Sequence, residues 1–396
     1  MKICIISKYP PIEGGVSARV YWLAKALGER GHEVHVVTNA QEVENEYREI
    51  IDENDPEFIP KNVHVHSIDA DTNLWHIPFS QAYAERLANL AIEVIHEYDI
   101  QLIDSCYILP YAISGFIAKN VTGRPMILRH AGSDIGKLYS STAYQTLFKS
   151  IFKKADRVVT IPQLKQVFLD AGVHESNVLF ENLVGVDTNA FQYDVIPFFL
   201  SEYVSEKIPS CPIITYIGKV DYYWKYKGLS ELIESVHNIK ADFRLFFVAN
   251  GKGLADFKRQ VKNNNLEDKS IFLNFIPPWK IPSIIKLSTC VVLPEREFPV
   301  PYHMPILPRE VMAVGKCLIL SKELYDKQCY GELIDGENVI IVDPKNAKQF
   351  RASIEKIVND PYIAMIIGQN AYKHSQQIER FDEYIDSTIR QYESVI

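Results

Sequence analysis

The sequence predicts an α/β protein made of two parallel-sheet units in series. Three observations carry this. Residues 2–7 read as an apolar strand, 8–15 as a glycine-bearing loop, 16–30 as a helix and 33–38 as the next strand. That order opens a parallel sheet with helices packed on its faces. The same order restarts after residue 211, with a strand over 212–217, a loop at Gly218 and Lys219, and a helix over 229–236. The chain has 396 residues, 47% of them hydrophobic, enough for two buried cores.

In the first unit, Val20, Leu23, Ala24 and Leu27 line one face of the opening helix, and Arg30 and Gly31 end it. Gly14 and Gly15 would let a phosphate approach the backbone closely, or simply make a tight turn. Residues 41–60 are acidic and without period, which predicts a surface excursion. Val63 and Val65 alternate with His64 and His66, the pattern of a half-buried strand with wet histidines. An amphipathic helix follows over 81–98, then a strand over 100–103 with residues 104–107 at its end. The next strand, 125–129, leads into His130-Ala131-Gly132-Ser133-Asp134. Loops after parallel strands are where such sheets bind ligands. His130 and Asp134 are therefore candidates for reading hydroxyls, with a helix cap as the competing role for the aspartate. The helix over 139–154 carries Lys149, Lys153 and Lys154 near its end, where they suit the helix dipole. They are also the one basis for a peripheral membrane contact. Residues 157–161 form a strand and 164–171 a short helix, and residues 192–210 read as a linker.

In the second unit a wet aromatic loop spans 221–226, and Lys227-Gly228 precedes the helix. Strands follow over 243–248 and 271–275. The apolar run 290–293 enters a loop rich in proline. From Arg309 the pattern is helical, and Gly315 stops it before a second apolar run, 317–320. A strand end followed by a helix N-terminus offers free backbone N–H groups and a positive dipole to an anion. Glu310 in the first turn can accept a sugar hydroxyl or complement the dipole. Lys219 and Lys227 flank another strand-end loop. In a parallel sheet these loops share one edge, where two lysines can neutralise a diphosphate or stand solvated. The tail, 377–396, has Phe381, Ile385, Ile389, Tyr392 and Ile396 on one side and is expected to pack back on the first unit. The domain expectation is thus 1–195, 205–375 and a returning helix over 376–396.

A net charge of -8 and a pI near 5.8 argue against nucleic-acid binding. No run of about 20 apolar residues is present, and residues 1–7 read as a strand rather than a signal core. The six cysteines are scattered, with no CxxC pair, which suits a reducing cytoplasm and no structural zinc. No GxGxxG follows the first strand, so a nicotinamide dehydrogenase ranks last among the candidate functions.

Six segments, in order, resemble the retaining glycosyltransferases of family 4. They are the loop 8–15, His130 to Asp134, residues 182–191, Gly218-Lys219 through Lys227-Gly228, Pro308 to Gly315, and residues 332–338. The resemblance implies a GT-B fold, two facing Rossmann-like domains with a cleft between them. It implies transfer of a sugar, a hexose for preference, from a nucleotide-diphosphate donor to a carbohydrate or lipid-linked acceptor. No cofactor beyond that co-substrate and no metal is expected. Lys219 and Lys227, with the backbone around Met304, Pro305 and Ile306, would meet the leaving diphosphate. Glu310 would hold the ribose, His130 the sugar, and Gly14 and Gly15 would face the acceptor. Tyr302 stands where the family has its first acidic residue, and Glu297 is expected to take that role across an insertion. His303, Met304 and Pro305 replace the family's turn glycines, which keeps open a non-catalytic sensor or partner subunit.

Overall fold

The computed structural model describes residues 1–68, 83–181, 184–203, 210–300 and 302–396. The first sheet has seven strands: β1 (Lys2–Ile6), β2 (Glu33–Thr38), β3 (Val63–Ser67), β4 (Leu102–Cys106), β5 (Met126–Arg129), β6 (Arg157–Thr160) and β7 (Val178–Phe180). Their spatial order is β3-β2-β1-β4-β5-β6-β7, and every pairing is parallel. The second sheet has six: β8 (Ile213–Ile217), β9 (Arg244–Val248), β10 (Ser270–Leu273), β11 (Cys290–Leu293), β12 (Cys317–Ser321) and β13 (Ile340–Val342). Its order is β10-β9-β8-β11-β12-β13, again all parallel. Helices cover both faces, so the central strands β1, β4, β8 and β11 are mostly buried, and β1, β8 and β11 are largely apolar. Two Rossmann-like sheets in series are the architecture expected from the sequence.

Two expectations need correction and one needs extending. Residues 41–60 lie largely at the surface, as expected, but they also bridge the two units. Ile50 N–H donates to Phe275 O at 2.8 Å, Lys280 Nζ reaches Asp55 at 2.6 Å, and Glu49 is buried, so this segment fastens the first unit to the second. The strand expected at 100–103 is shifted to β4, which makes Asp104 an interior ladder residue. A carboxylate is tolerated there because Arg129 Nε binds it at 2.8 Å and Tyr392 Oη donates to it at 2.5 Å. The tail is two helices, Pro361–Ile378 and Phe381–Glu393, with Glu379 extended between them. The helix expected at 81–98 is described over Tyr83–Glu97, and the expected motif residues Asn182 and Leu183 lie outside the described residues.

The break at Glu379 has a physical cause. Its carboxylate accepts from Arg309 Nε at 2.7 Å, from an Arg309 terminal nitrogen at 2.5 Å, and from Val186 N–H at 2.9 Å. A second Arg309 nitrogen donates to Val184 O at 2.6 Å. Continuing the helix would pull the carboxylate out of this buried fork. Beyond the break the last helix returns to the first sheet. Gln391 accepts from Arg129 at 2.9 Å, Arg30 pairs with Asp382 at 2.7 Å, and Ile385 and Tyr392 are fully buried. Gly185 lets the backbones meet, since a Cβ there would lie 2.6 Å from Phe381 Cα.

Arg309→Met should lower the urea unfolding midpoint strongly, because removing one partner of a buried pair costs about 3–5 kcal/mol. An unchanged midpoint would show that the fork does not hold the returning tail.

Candidate active site in the interdomain cleft

The loops at the C-terminal ends of the two sheets face each other. Gly14 and Gly15, after β1, start the helix Gly15–Glu29. Lys219, after β8, reaches across to them. Its Nζ lies 2.8 Å from Glu13 Oε2 and donates to Glu13 O at 3.3 Å, and it would lie 3.2 Å from a Cβ at Gly14. Gly14 has φ 133°, a conformation glycine adopts without strain. Further along the cleft, a Cβ on Gly132 would meet Tyr302 O at 2.3 Å, so the loop after β11 rests directly on the loop after β5.

Burial in the closed cleft pushes the Lys219 ammonium down to about 7; Lys8 and Lys227 push the same way, and Asp221 opposes. Lys227 sits in a different setting. It pairs with buried Glu295, lies 3.3 Å from His303 Nε2, and stands 4.0 Å from the Phe298 ring centre. Burial would raise the Glu295 carboxyl, but the His303 hydrogen bond and the Lys227 charge hold it at about 2. The ammonium is thereby aimed by a carboxylate beneath it. The next residue, Gly228, has φ 69°, and a Cβ there would stand 1.7 Å from Pro294 O. Glycine is thus required where this loop crosses the β11 exit.

Glu310 sits in the helix Leu307–Ala313 and is 8% exposed. It borders a small cavity with Gly15, Arg19, Trp22, Val186 and Ile306. Burial, with Glu379 nearby, pushes its carboxyl up to about 8, against the pull of Arg309. Among the described residues no side chain or amide is bonded to it. Met304 and Ile306 present amides with no acceptor among the described residues. Pro305 has no N–H, and its carbonyl accepts from Tyr330 Oη at 3.1 Å.

The remaining candidates are placed differently. Asp134 is fully buried and accepts from the backbone N–H of Ile108 (3.2 Å), Ala131 (3.1 Å) and Ile135 (2.8 Å). It organises its own loop rather than facing the cleft, and burial raises it to about 7. The His130 ring is engaged by the Thr160 hydroxyl at 2.8 Å and Ala131 O at 3.4 Å, and burial holds it neutral, near 4. Glu297 does not take the acidic position. It is exposed and tied to Lys345 at 2.5 Å and Arg296 at 3.2 Å. Glu295, two residues earlier, is the carboxylate inside the site. Sequence reasoning missed Glu13, Glu295 and His303. Pro294 ending the strand run was a usable signal for Glu295; nothing local marked the other two. Of the aromatic loop, Trp224 is buried, while Tyr223 lies under Lys137 Nζ at 4.2 Å from the opposite domain.

This cleft between two Rossmann-like sheets, with cations on one rim and a glycine-started helix on the other, is that of a GT-B transferase. Residues 205–374 match the family model described as Glycosyl transferases group 1, and residues 13–178 match Glycosyltransferase Family 4. The chain belongs to this family of glycosyltransferases. It is 24% identical over 378 residues to an uncharacterized glycosyltransferase of Methanocaldococcus jannaschii, covering 95% of this chain and 94% of that one. It is 23% identical over 288 residues to N-acetyl-alpha-D-glucosaminyl L-malate synthase of Bacillus anthracis, covering 69% and 68%. Among solved structures, sucrose-phosphate synthase of Thermosynechococcus elongatus superposes with TM-score 0.68 at 20% identity, covering 100% of this chain and 98% of that one. Anabaena HepE, solved with UDP and glucose, gives 0.69 at 17% identity over 100% of both chains. These likenesses fix the fold as GT-B. Among the described residues no helix is long and apolar enough to cross a membrane.

The Lys219 shift has a definite sign. Its folded pKa lies below the unfolded lysine value, so the folded state binds fewer protons between about 7 and about 10.4, and stability rises with pH across that window. Lys219→Met should flatten this rise in melting temperature from pH 7 to 10. A slope equal to that of the parent protein would place the titration elsewhere.

Proposed function

We propose that the protein transfers a sugar from a nucleoside-diphosphate sugar to an acceptor hydroxyl, with retention of anomeric configuration. The observation that carries this is the meeting of Lys219 and the unbonded Glu310 with the Gly14–Gly15 helix start across the cleft, with Lys227 close enough for its charge to act on Lys219. A UDP-sugar is the first donor to test, since HepE, of the same fold, was solved with UDP and glucose. The acceptor on this reading is a carbohydrate or lipid-linked hydroxyl.

The chemistry is separation of charge. The bond from the anomeric carbon to the diphosphate oxygen breaks early, leaving an oxocarbenium-like sugar and an anionic nucleoside diphosphate. Lys219 and Lys227 stabilise that leaving charge, helped by the Met304 and Ile306 amides. The acceptor oxygen bonds the same face of the anomeric carbon, and its proton passes to the departing phosphate oxygen. Glu295 keeps Lys227 oriented; Glu310 takes the ribose hydroxyls. His130 supports the sugar pocket through its loop. Closure of the two domains keeps water from competing as acceptor. Because lysines supply the positive charge, no metal is required on this reading, and chelation should leave turnover unchanged.

Lys227→Ala should reduce turnover by about 3 kcal/mol of transition-state stabilisation, measured as nucleoside diphosphate released. Normal turnover would remove Lys227 from the leaving-group role. Glu310→Ala should chiefly weaken UDP binding in calorimetry, and equal affinity would leave Glu310 with only its helix-dipole role.

A further inference from the structure

Lys8, at the C-terminal end of β1, is a cation that the foregoing reaction does not use. Its Nζ stands 4.8 Å from the Tyr107 ring centre, and Tyr107 is itself fixed by a 3.2 Å hydrogen bond between its hydroxyl and Ser133 Oγ. Among the described residues no carboxylate or carbonyl lies within ion-pair or hydrogen-bond distance of this ammonium. Asp134, whose charge acts on it, has its oxygens occupied by three backbone N–H groups. The side chain is partly buried at the centre of the first domain's binding edge, close enough to Lys219 to depress that lysine's protonation. Burial lowers the Lys8 pKa as well, with Cys106 and Asp134 pulling the other way.

An ammonium drawn out of water without a counter-charge is costly, and two such groups facing each other are more so. Glu13 pairs directly with Lys219, whereas Lys8 has no ion-pair partner among the described residues and feels only the through-space pull of Asp134 and Cys106. The cation–π contact with Tyr107 orients the ammonium but supplies no formal negative charge. Lys8 as a residue is only partly buried.

We propose that Lys8, over the Tyr107 ring and beside Lys219, forms an anion subsite for a phosphate or carboxylate group of a substrate. The inference deepens the transferase reading and rests on it for the source of the anion. That source is either the donor's diphosphate, reached when the domains close, or an acidic group on the acceptor held by the first domain.

The test is calorimetry of the full chain with inorganic phosphate in chloride buffer, using the parent protein, Lys8→Met and Lys8→Arg. Phosphate should bind the parent, bind Lys8→Met about tenfold or more weakly, which corresponds to ~1.4 kcal/mol, and bind Lys8→Arg nearly as the parent does. Without phosphate, Lys8→Met should melt no lower than the parent, since it removes an uncompensated charge. Equal phosphate binding by parent and Lys8→Met overturns the proposal, as does a melting temperature that falls in the Met variant and does not depend on phosphate. Repeating the titration with saturating UDP separates the sources. Phosphate displaced by UDP assigns the subsite to the donor, and phosphate that still binds assigns it to the acceptor. If UDP itself fails to bind, the donor assignment falls while the phosphate result on Lys8 still stands or falls by itself.

Discussion

The buried fork between Arg309 and Glu379 joins three things that would otherwise be independent. It holds the short helix carrying Glu310, it captures the backbone at Val184 and Val186 where the first domain ends, and it turns the chain so that the last helix runs back. A pair of this kind gains little over an apolar replacement, because desolvation offsets the attraction. Its value is geometric. Two parallel hydrogen bonds fix the guanidinium plane and the carboxylate plane together, and the backbone contacts then fix both to the opposite domain. Glu310 and the helix Gly15–Glu29 consequently border one cavity.

Charge in the cleft is arranged unevenly. Lys227 is paired with Glu295, which fixes its direction. Lys219 is crowded by other lysines and reaches Glu13 on the far rim. The contact between Lys219 and Glu13 joins the two domains across the cleft, while Lys227 is held within its own domain.

Much of the fold was legible in the chain. Apolar runs bounded by glycine and proline located most strands, and the restart at residue 212 separated the two units. The strand β4 was misplaced because Asp104 breaks the apolar run; its stabilising partners, Arg129 and Tyr392, are remote in sequence. The tail was read as one helix because its apolar stripe continues past Glu379, and the local pattern carries no trace of Arg309. Residues 41–60 were rightly read as surface, but the local pattern carries no trace of their bridging contacts with Phe275 and Lys280 of the other domain.

For the site, the sequence by itself determined which chemical groups stand in the loops and helix starts after the strands: Lys219 and the paired glycines directly after a strand, Lys227 before the next helix, and Glu310 in the first turn of a helix, all placed by periodicity. Only the tertiary structure decided which of the neighbouring carboxylates meets Lys227. Glu295 rather than Glu297 meets Lys227, because a backbone turn at Glu297, with φ 49°, sends its side chain outward to Lys345. It also decided that Asp134 holds backbone amides and that Lys8 has no ion-pair partner among the described residues. Those outcomes depend on which loops meet across a cleft, and that contact is a property of two packed sheets rather than of any single stretch of chain.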